Sequence, residues 1–346
     1  MPEDTERQTS PLHIGFVLLP QFTMLAFTCA VEPLRMANML SGRELYRWTL
    51  LTGDGTPVPA SNGLLLTPHA ALAQAPALDV VFVCGGVNVH QTLDKNLIAW
   101  LHKQVARKVV IGALCTATYL LAKAGLLDGY RCTVHWEQMA SLREEHPRLV
   151  ISSELFEIDR DRYTSSGGTA PLDMQLHLIR ARHGAKLAAA ISEEFICERI
   201  RGPNDRQRIP LRMRLGTSQP KLVEAVSLME ANLEEPISPD EIASHVGLSR
   251  RQLERLFQRY LNCVPTRYYL ELRLARARQL LLQTTMPIVD VALACGFVSA
   301  PHFSKCYRDF YAIAPRLERR HSEPHVLGRL QVGEVDAAPL DDPGAD

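Results

Sequence analysis

Cys115 is placed where a reactive thiol would be expected, at the end of one predicted strand and just before a predicted helix. A thiol on such a turn faces the start of a helix, whose dipole lowers the thiol pKa. Gly86 ends the neighbouring predicted strand, where bare backbone amides can hold an anion. Glu32, which opens a helix after the first strand, and His135, which follows the turn helix, could reach the same place. These residue types indicate nucleophilic chemistry as one candidate function.

A second candidate site follows a pattern that occurs twice, first over Ser238–Tyr260 and again over Met286–Tyr311. Each copy predicts a helix, a turn at a glycine, and a second helix that begins after a serine. Gly247 and Gly296 permit the positive φ that the tight turn needs, and the serine can cap the helix that follows. Two copies joined by one long helix indicate a duplicated helix-turn-helix that binds DNA.

In a helix-turn-helix, residues at the start of the second helix contact base edges in the major groove. Arginine suits guanine and glutamine suits adenine, although any one of these side chains could bind a phosphate instead. The predicted DNA-contacting residues are Arg250, Arg251, Gln252 and Arg255 in the first copy, and Ser299, Ala300, His302 and Lys305 in the second.

Charge is distributed unevenly along a chain whose formal net charge is zero. The segment from His245 to Arg320 holds thirteen basic against five acidic residues, a net charge of +8. A basic segment is typical of a surface that binds DNA, although charge alone fits a solvated helix face equally well. After Arg320 the chain has one basic residue against six acidic ones.

The elements that must position these residues divide the chain in two. The first part alternates apolar runs with amphipathic segments, which predicts an open α/β fold with a buried parallel sheet. The predicted strands are His13–Pro20, Tyr46–Thr52, Leu78–Gly86, Val109–Cys115 and Tyr163–Thr169, and the predicted helices are Met24–Met39, Asn96–Arg107, Ala117–Leu127 and one long stretch from Ala170 to Ile200. From Lys221 to about Arg320 the pattern is helical throughout.

We therefore predict an α/β domain over residues 12–200, a linker over 201–219, an all-α DNA-binding domain over 220–320 and a disordered acidic tail over 321–346. The hydrophobic share of 46% and the charged share of 22% exclude a disordered, collagenous or coiled-coil protein. No apolar run approaches the roughly 18–20 residues that span a bilayer, so no membrane contact is predicted.

Eight cysteines are scattered without any CxxC pair, which argues against a disulfide framework or a structural zinc site. No metal or cofactor is predicted. The polar N-terminal stretch argues against secretion. Reduced thiols and the absence of a signal core together predict a cytoplasmic location.

Residues 220–320, with the two units described above, resemble the DNA-binding domain of the AraC/XylS family. The resemblance implies that the two second helices enter successive major grooves on one face of promoter DNA, with paired half-sites, RNA polymerase and a second copy of the chain as partners. The sequence departs from the family at Pro301, near the start of a second helix, and at Ala312, where the family has glycine. The second unit is therefore expected to read bases less stringently.

Residues 12–200 resemble the ThiJ/PfpI branch of the class I glutamine amidotransferase-like superfamily, which implies a flavodoxin-like sheet. Cys115 matches the cysteine at the strand-to-helix turn of that superfamily. The PfpI hydrolases place a histidine directly after this cysteine, whereas this chain has Thr116; other branches use a histidine that corresponds to His135. Joined to an AraC-type domain, the chain resembles GlxA-like transcriptional regulators, in which this domain binds an effector and is not an enzyme.

Two stretches, Val31–Asn38 and Ser41–Trp48, resemble regulators of glycine-betaine, carnitine and arginine catabolism. The resemblance implies an activator of an amine or amino-acid catabolic operon that responds to a small nitrogenous metabolite. A quaternary ammonium ligand would need aromatic faces and a carboxylate. The candidate effector pocket comprises Glu32, Gly86, Cys115, Thr116, His135 and Trp136.

Two other functions stay open at this point. A cysteine-dependent hydrolase or amidase with an appended DNA-binding domain would use Cys115 as its nucleophile. A redox sensor would use oxidation of the same thiol as its signal.

Overall fold

The computed structural model describes residues 10–203, 205–208 and 211–319. The predicted acidic tail over 321–346 lies outside the described residues. The strands are β1 Leu12–Leu18, β2 Tyr46–Thr52, β3 Val58–Pro59, β4 Leu65–Leu66, β5 Ala70–Ala71, β6 Val80–Cys84, β7 Val110–Leu114, β8 Arg131–Cys132, β9 Val150–Ile151, β10 Phe156–Asp159 and β11 Arg162–Ser165.

The helices are α1 Met24–Ser41, α2 Lys95–Ala106, α3 Thr118–Lys123, α4 Met139–Glu145, α5 Ala170–His183, α6 Ala185–Glu194, α7 Leu211–Arg214, α8 Pro220–Ala231, α9 Pro239–His245, α10 Arg250–Leu261, α11 Pro265–Gln283, α12 Ile288–Ala294, α13 Ala300–Tyr311 and α14 Pro315–Glu318.

The N-terminal part is built on a seven-stranded sheet in the order β10-β11-β7-β6-β1-β2-β5. Every pair is parallel except the edge pair β10–β11. The carboxyl ends of β1, β6, β7 and β11 therefore meet at one edge, which is where ligands bind in open α/β sheets.

Helices cover both faces of this sheet because successive side chains of the buried strands point to opposite sides. Ile14 and Phe16 of β1 face the layer formed by α1, α5 and α6, and the Phe16 ring stacks on Phe82 of β6. Val17 of β1 and Val83 of β6 face the opposite layer, which contains α2 and α3. The predicted flavodoxin-like architecture is confirmed.

The near-continuous apolar runs predicted the central strands to within two or three residues. The predicted helix from Ala170 to Ile200 was wrong in two respects. It is broken into α5 and α6 at Gly184, which has a φ of +91°, and α6 ends at Glu194. The predicted helix Ala117–Leu127 is also shorter than expected, since α3 ends at Lys123. Glu32 does not open a helix as expected, because α1 already begins at Met24.

The C-terminal part consists of two helical units, each with a small core of its own. The first core is formed by α8, α9, α10 and the start of α11, with Phe257 fully buried in it. The second is formed by the end of α11 together with α12 and α13, around Phe303 and Tyr307. The long helix α11 thus belongs to both units and fixes their separation.

The segment predicted as a linker contains a short helix, α7, which the sequence pattern did not reveal. Leu211 and Leu215 pack against the core of the first helical unit. Before it, Arg201 binds Asp173 of α5 through its backbone N–H and its guanidinium, at 2.6–2.9 Å. Residues 201–203 and 205–208, called the strap below, therefore lie against the α/β part of the chain.

Candidate DNA interface and effector site

In the first helix-turn-helix unit, helix caps and a glycine turn that the sequence predicts fix where the helices begin and end. The Ser238 hydroxyl accepts a hydrogen bond from the Glu241 N–H, and the Glu241 carboxylate accepts one from the Ser238 N–H. Gly247 takes the left-handed conformation at the turn, with a φ of +68°. Ser249 and Gln252 repeat the same reciprocal capping at the start of α10. The start of this helix is therefore fixed before any DNA is bound.

The predicted base-contacting residues of α10 differ in how far they are already engaged. The Arg250 guanidinium binds Asp240 at 3.0 Å and Glu254 at 3.1 Å, and the Gln252 side chain is used in the cap. Arg251 and Arg255 are exposed and have no ion pair in the part of the chain that the structure describes. These two arginines are the side chains most available to DNA.

A groove beside α10 adds basic residues that the predicted set missed. It has a volume of about 500 Å³, and its lining includes Arg255, Arg259 and Lys221. Arg251, Arg255 and Arg259 follow each other at a spacing of four, so they share one face of the helix. That spacing was present in the sequence and could have identified Arg259.

The second unit starts its second helix in the same way. The Ser299 hydroxyl accepts a hydrogen bond from the His302 N–H at 3.4 Å, so Ser299 caps α13. Lys305 is exposed, whereas the His302 ring lies 3.4 Å from the Cys306 thiol. Ala300 and Pro301 occupy the first two helical positions, where proline costs no hydrogen bond. The unusual proline therefore leaves this helix intact.

The two units are held in a fixed relation by contacts around the second turn. Arg273 of α11 donates to the carbonyl oxygens of Cys295 and Gly296, both at 2.8 Å, and its guanidinium covers the Phe297 ring. Gly296 has a φ of +74°, and a Cβ there would lie 2.6 Å from the Leu233 carbonyl oxygen of the first unit. The turn of one unit thus packs directly on the backbone of the other.

In the α/β part of the chain, Cys115 occupies a strained turn directly after β7. Its φ is +62°, a conformation that a residue with a side chain rarely adopts, and its side chain is almost fully buried. The Thr23 hydroxyl lies 3.7 Å from the thiol. Gly167 packs so closely that a Cβ there would come within 2.8 Å of the sulfur. This turn has the geometry of a nucleophile elbow.

The electrostatic environment of Cys115 is the reverse of the expected one. Burial raises the pKa of the Cys115 thiol and outweighs the hydrogen bonds from Thr23 and the Thr116 N–H, which lower it; the Glu137 carboxylate adds a smaller raising effect. The helix that follows is only six residues long, and desolvation outweighs its dipole. The expectation that this turn lowers the thiol pKa was wrong, because burial raises it.

Thr116 and Gly86 lie where backbone segments pack closely at the carboxyl edge of the sheet. The Thr116 hydroxyl donates to the Gly86 carbonyl oxygen at 2.7 Å. A Cβ at Gly86 would lie 1.9 Å from the Gln21 carbonyl oxygen, so only glycine fits there. The amide of Gly85 donates to the Leu114 carbonyl oxygen and is engaged within the sheet edge.

The remaining predicted pocket residues lie in different surroundings. Glu32 binds Arg35 of the same helix at 2.8 Å, and 44% of its side chain is exposed. His135 lies 3.6 Å from the Glu137 carboxylate and next to the Trp136 ring, and burial lowers its pKa. The structure gives the Cys115 thiol no hydrogen bond to His135 among the described residues. A cysteine–histidine pair is therefore not assembled.

Sequence reasoning missed the strap, whose residues contact the wall formed by Thr133–Glu137. The Gln207 amide donates to the Thr133 hydroxyl and to the carbonyl oxygens of Val134 and Glu154, at 2.9–3.1 Å. The Arg208 guanidinium lies 4.7 Å from the centre of the Trp136 ring. Hydrophobic periodicity could not have predicted these contacts, because they join residues more than fifty positions apart in the sequence.

The strap also reaches the helical part of the chain. Arg208 lies 3.7 Å from the carboxylate of Glu230 on α8, which Arg214 binds at 2.8 Å. A second contact joins α4 to α11, where the Ser141 hydroxyl donates to the Gln283 side chain at 3.0 Å. The wall beside Cys115 and the DNA-binding helices are therefore connected by a short series of direct contacts.

Known proteins match both parts of the chain. The sequence model of the DJ-1/PfpI family matches residues 17–181, and that of a helix-turn-helix domain matches residues 242–321. The HTH-type transcriptional regulator GbdR of Pseudomonas aeruginosa is 60% identical over 90% of this chain and 85% of its own. The HTH-type transcriptional regulator GlxA of Rhizobium meliloti is 34% identical over 89% of this chain and 96% of its own.

Other matches concern the α/β part. A solved ThiJ/PfpI family protein from Pseudomonas syringae superimposes with a TM-score of 0.50 at 21% identity, covering 71% of this chain and 95% of its own, which supports the fold. An isonitrile hydratase of Pseudomonas putida is 31% identical over 52% of this chain and 76% of its own. The same domain type therefore occurs in an enzyme.

A DJ-1/PfpI domain joined to a duplicated helix-turn-helix defines a DNA-binding transcriptional regulator. The chain belongs to the AraC/XylS family of such regulators and, within it, to the GlxA-like subfamily. Within the described residues no helix is long and apolar enough to cross a membrane, and no group of His, Cys, Asp and Glu is arranged to hold a metal ion.

Proposed function

We propose that this regulator responds to a small nitrogenous metabolite bound at the carboxyl edge of the sheet, near Cys115, Thr116, Gly86, His135 and Trp136. The ligand signal passes through the strap to the DNA-binding helices. The regulated genes form an operon for the catabolism of an amine or amino acid of the betaine, carnitine or arginine type. Arg251, Arg255 and Lys305 contact DNA directly, and His302 and Ala300 approach the adjacent major groove.

One observation carries the coupling part of this proposal. Arg208 contacts the Trp136 ring at the sheet edge and, on its other side, the Glu230 carboxylate of α8. A ligand that moves Trp136, or competes for its face, changes the position of a cation that also contacts the DNA-binding part. Since a ligand shifts an equilibrium only by its differential affinity for two states, such a shared residue gives it that difference.

The environment of Cys115 favours a sensor over the alternative enzyme. A hydrolase needs a thiolate and a base within hydrogen-bonding reach, whereas burial raises the pKa of this thiol. The same burial disfavours a redox sensor, because oxidation follows thiolate character and exposure. Replacement of Cys115 by alanine should therefore leave the DNA affinity in place.

Further parts of the proposal follow from the family. The protein works in the cytoplasm as an activator, binds paired promoter half-sites as a homodimer and contacts RNA polymerase there. In vitro transcription with purified RNA polymerase tests the sign of regulation, and light scattering of the DNA complex tests its stoichiometry. A single protomer on DNA, or repression of transcription, would contradict these parts separately.

The decisive experiment measures DNA affinity by fluorescence anisotropy, with a duplex selected from a random library, against a panel of amines, betaines and amino acids. We expect one compound to change the affinity about fivefold or more, the lower end of typical allosteric coupling. Arg208→Ala should abolish that change, whereas Arg212→Ala, an exposed arginine on α7, should retain it. No response to any compound, or equal behaviour of the two variants, would refute the proposed coupling.

A further inference from the structure

A cavity lies at the amino edge of the sheet, at the far end of the strands from Cys115. It has a volume of about 210 Å³, and its lining includes the first residues of three central strands, Leu12, Val80 and Val110. Because β7 runs from Val110 to Leu114, about 13 Å of strand at roughly 3.3 Å per residue separates this cavity from the Cys115 turn. The cavity is therefore distinct from the proposed effector site.

One buried polar group in this cavity has no partner. Gln175 of α5 lines the cavity and is only 2% exposed. Its side-chain nitrogen has no hydrogen-bond partner in the described part of the chain. An amide donor left unsatisfied in an apolar interior is costly, which makes it a candidate contact for a ligand oxygen.

Two opposite charges line the same cavity. Arg182, two turns after Gln175 on α5, has no ion pair among the residues that the structure describes. Asp79 accepts a hydrogen bond from the His13 N–H through one carboxylate oxygen, at 2.8 Å. Its other carboxylate oxygen has no hydrogen bond from the residues that the structure describes. A ligand with only a negative charge would be repelled by Asp79, and one with only a positive charge by Arg182.

The rest of the lining is suited to a short apolar body. The lining side chains of this kind are Leu12, Ile14, Tyr46, Val80, Phe82, Val110, Tyr163 and Leu178. Aromatic rings such as those of Tyr46 and Tyr163 can also pack against an alkylated ammonium group. The cavity thus combines apolar walls, a free amide donor and one charge of each sign.

We propose that this cavity is a second small-molecule site, which takes a small zwitterion with one carboxylate and one ammonium group. The carboxylate binds the Gln175 amide and Arg182, and the ammonium group binds Asp79. Helix α5 also carries Asp173, which holds Arg201 at the start of the strap. As a regulatory site the cavity rests on the proposed function, whereas binding itself does not.

Isothermal titration calorimetry on the full chain tests this, with L-valine and N,N,N-trimethylglycine as zwitterionic probes. Isovalerate and isobutylamine, which lack the ammonium group and the carboxylate of valine respectively, are the matched single-charge controls. We expect at least one zwitterion to bind, and both single-charge compounds to bind at least about tenfold more weakly, since each lacks one of the two ionic contacts.

Substitutions of cavity-lining residues then test whether the zwitterion binds in this cavity. Gln175→Leu and Arg182→Met should each weaken the affinity about tenfold to a hundredfold, whereas Arg180→Met on the same helix should not change it. Gln175→Leu should melt at the same or a higher temperature without ligand, because it removes the unpaired amide. The site is refuted if neither zwitterion binds or if both lining variants bind normally.

The controls also separate this inference from the proposed function. If a zwitterion binds and only Trp136→Leu abolishes binding, the ligand lies at the carboxyl edge. That result overturns the second site and leaves the proposed effector site standing. If DNA affinity responds to no metabolite while valine still binds through Gln175 and Arg182, the binding site stands and the proposed function fails.

Discussion

Neighbouring residues of one type can differ in their availability to DNA because their partners within the protein differ. Arg250 and Arg251 are adjacent arginines at the start of α10, and both suit guanine equally well by type. Arg250 is engaged with Asp240 and Glu254, whereas Arg251 is exposed without an ion pair in the described part of the chain. The sequence identified both as candidates, and only the three-dimensional contacts distinguish them.

We predict that Arg251→Ala weakens binding to a selected DNA site by about 1–3 kcal/mol, the typical contribution of a good base contact. Arg250→Ala, the matched control, should cost less, because its side chain must first give up two ion pairs to reach DNA. Anisotropy titrations with specific and scrambled duplexes measure both. A larger loss for Arg250 than for Arg251 would contradict this assignment.

The Cys115 thiol gives a prediction on reactivity. Because its folded-state pKa is raised, it holds less thiolate at neutral pH than a free cysteine, and the thiolate fraction grows only as pH rises through the raised pKa. Alkylation by iodoacetamide, followed by peptide mass spectrometry, should therefore modify the partly exposed Cys306 first at pH 7.5. Rapid labelling of Cys115 at that pH would instead favour the enzyme or redox interpretation.

At the scale of the elements, two turns that look alike in sequence carry different constraints. Gly247 and Gly296 both have a positive φ, but only Gly296 would place a Cβ against backbone, that of Leu233. The close contact exists because α11 brings the two helix-turn-helix units together. The repeat predicted the conformation of both glycines. It could not predict that Gly296 also packs against the backbone of the first unit.

Gly247→Ala should cost about 1–2 kcal/mol of stability, the price of a left-handed residue that has a side chain. Gly296→Ala should cost about 1–3 kcal/mol more, because the added methyl also overpacks against a backbone oxygen. Chemical denaturation followed by circular dichroism measures both variants. Equal losses would show that the two units do not pack through this turn.

Much of the fold followed from apolar runs, because strands buried on both faces and amphipathic helices leave strong local patterns. Tyr46–Thr52 was predicted with both ends correct. The break at Gly184 was not, since one glycine in a helical pattern is often tolerated. The site was harder: the cysteine turn was located correctly, but its pKa depends on burial, and the strap depends on contacts distant in sequence.

At the scale of the whole molecule, the net charge is zero, but the charge is unevenly distributed along the chain. The segment from His245 to Arg320 has a net charge of +8, and the rest of the chain balances it. DNA binding by such a segment releases counterions from the phosphates, so affinity falls with salt. The strap contacts α8, and α4 contacts α11, so the helical part that contains this basic segment is linked to the α/β part.

A plot of log affinity against log salt concentration should be linear and steep, with a slope set by the number of phosphate contacts. If Lys305 contacts phosphate, Lys305→Ala should reduce that slope by about 1. Lys186→Ala, which replaces an exposed lysine on α6, serves as the control and should leave the slope unchanged. A slope near zero would mean that the basic segment does not bind DNA.

The most direct test of the central claim selects binding sites for the full chain from a random-sequence duplex library. Two recognition helices that α11 holds at a fixed separation should enrich a bipartite site, with its halves about one helical turn, or roughly 10 base pairs, apart. Selection with Arg251→Ala should randomise bases in one half only. Enrichment of a single short site, or of no site, would contradict the account.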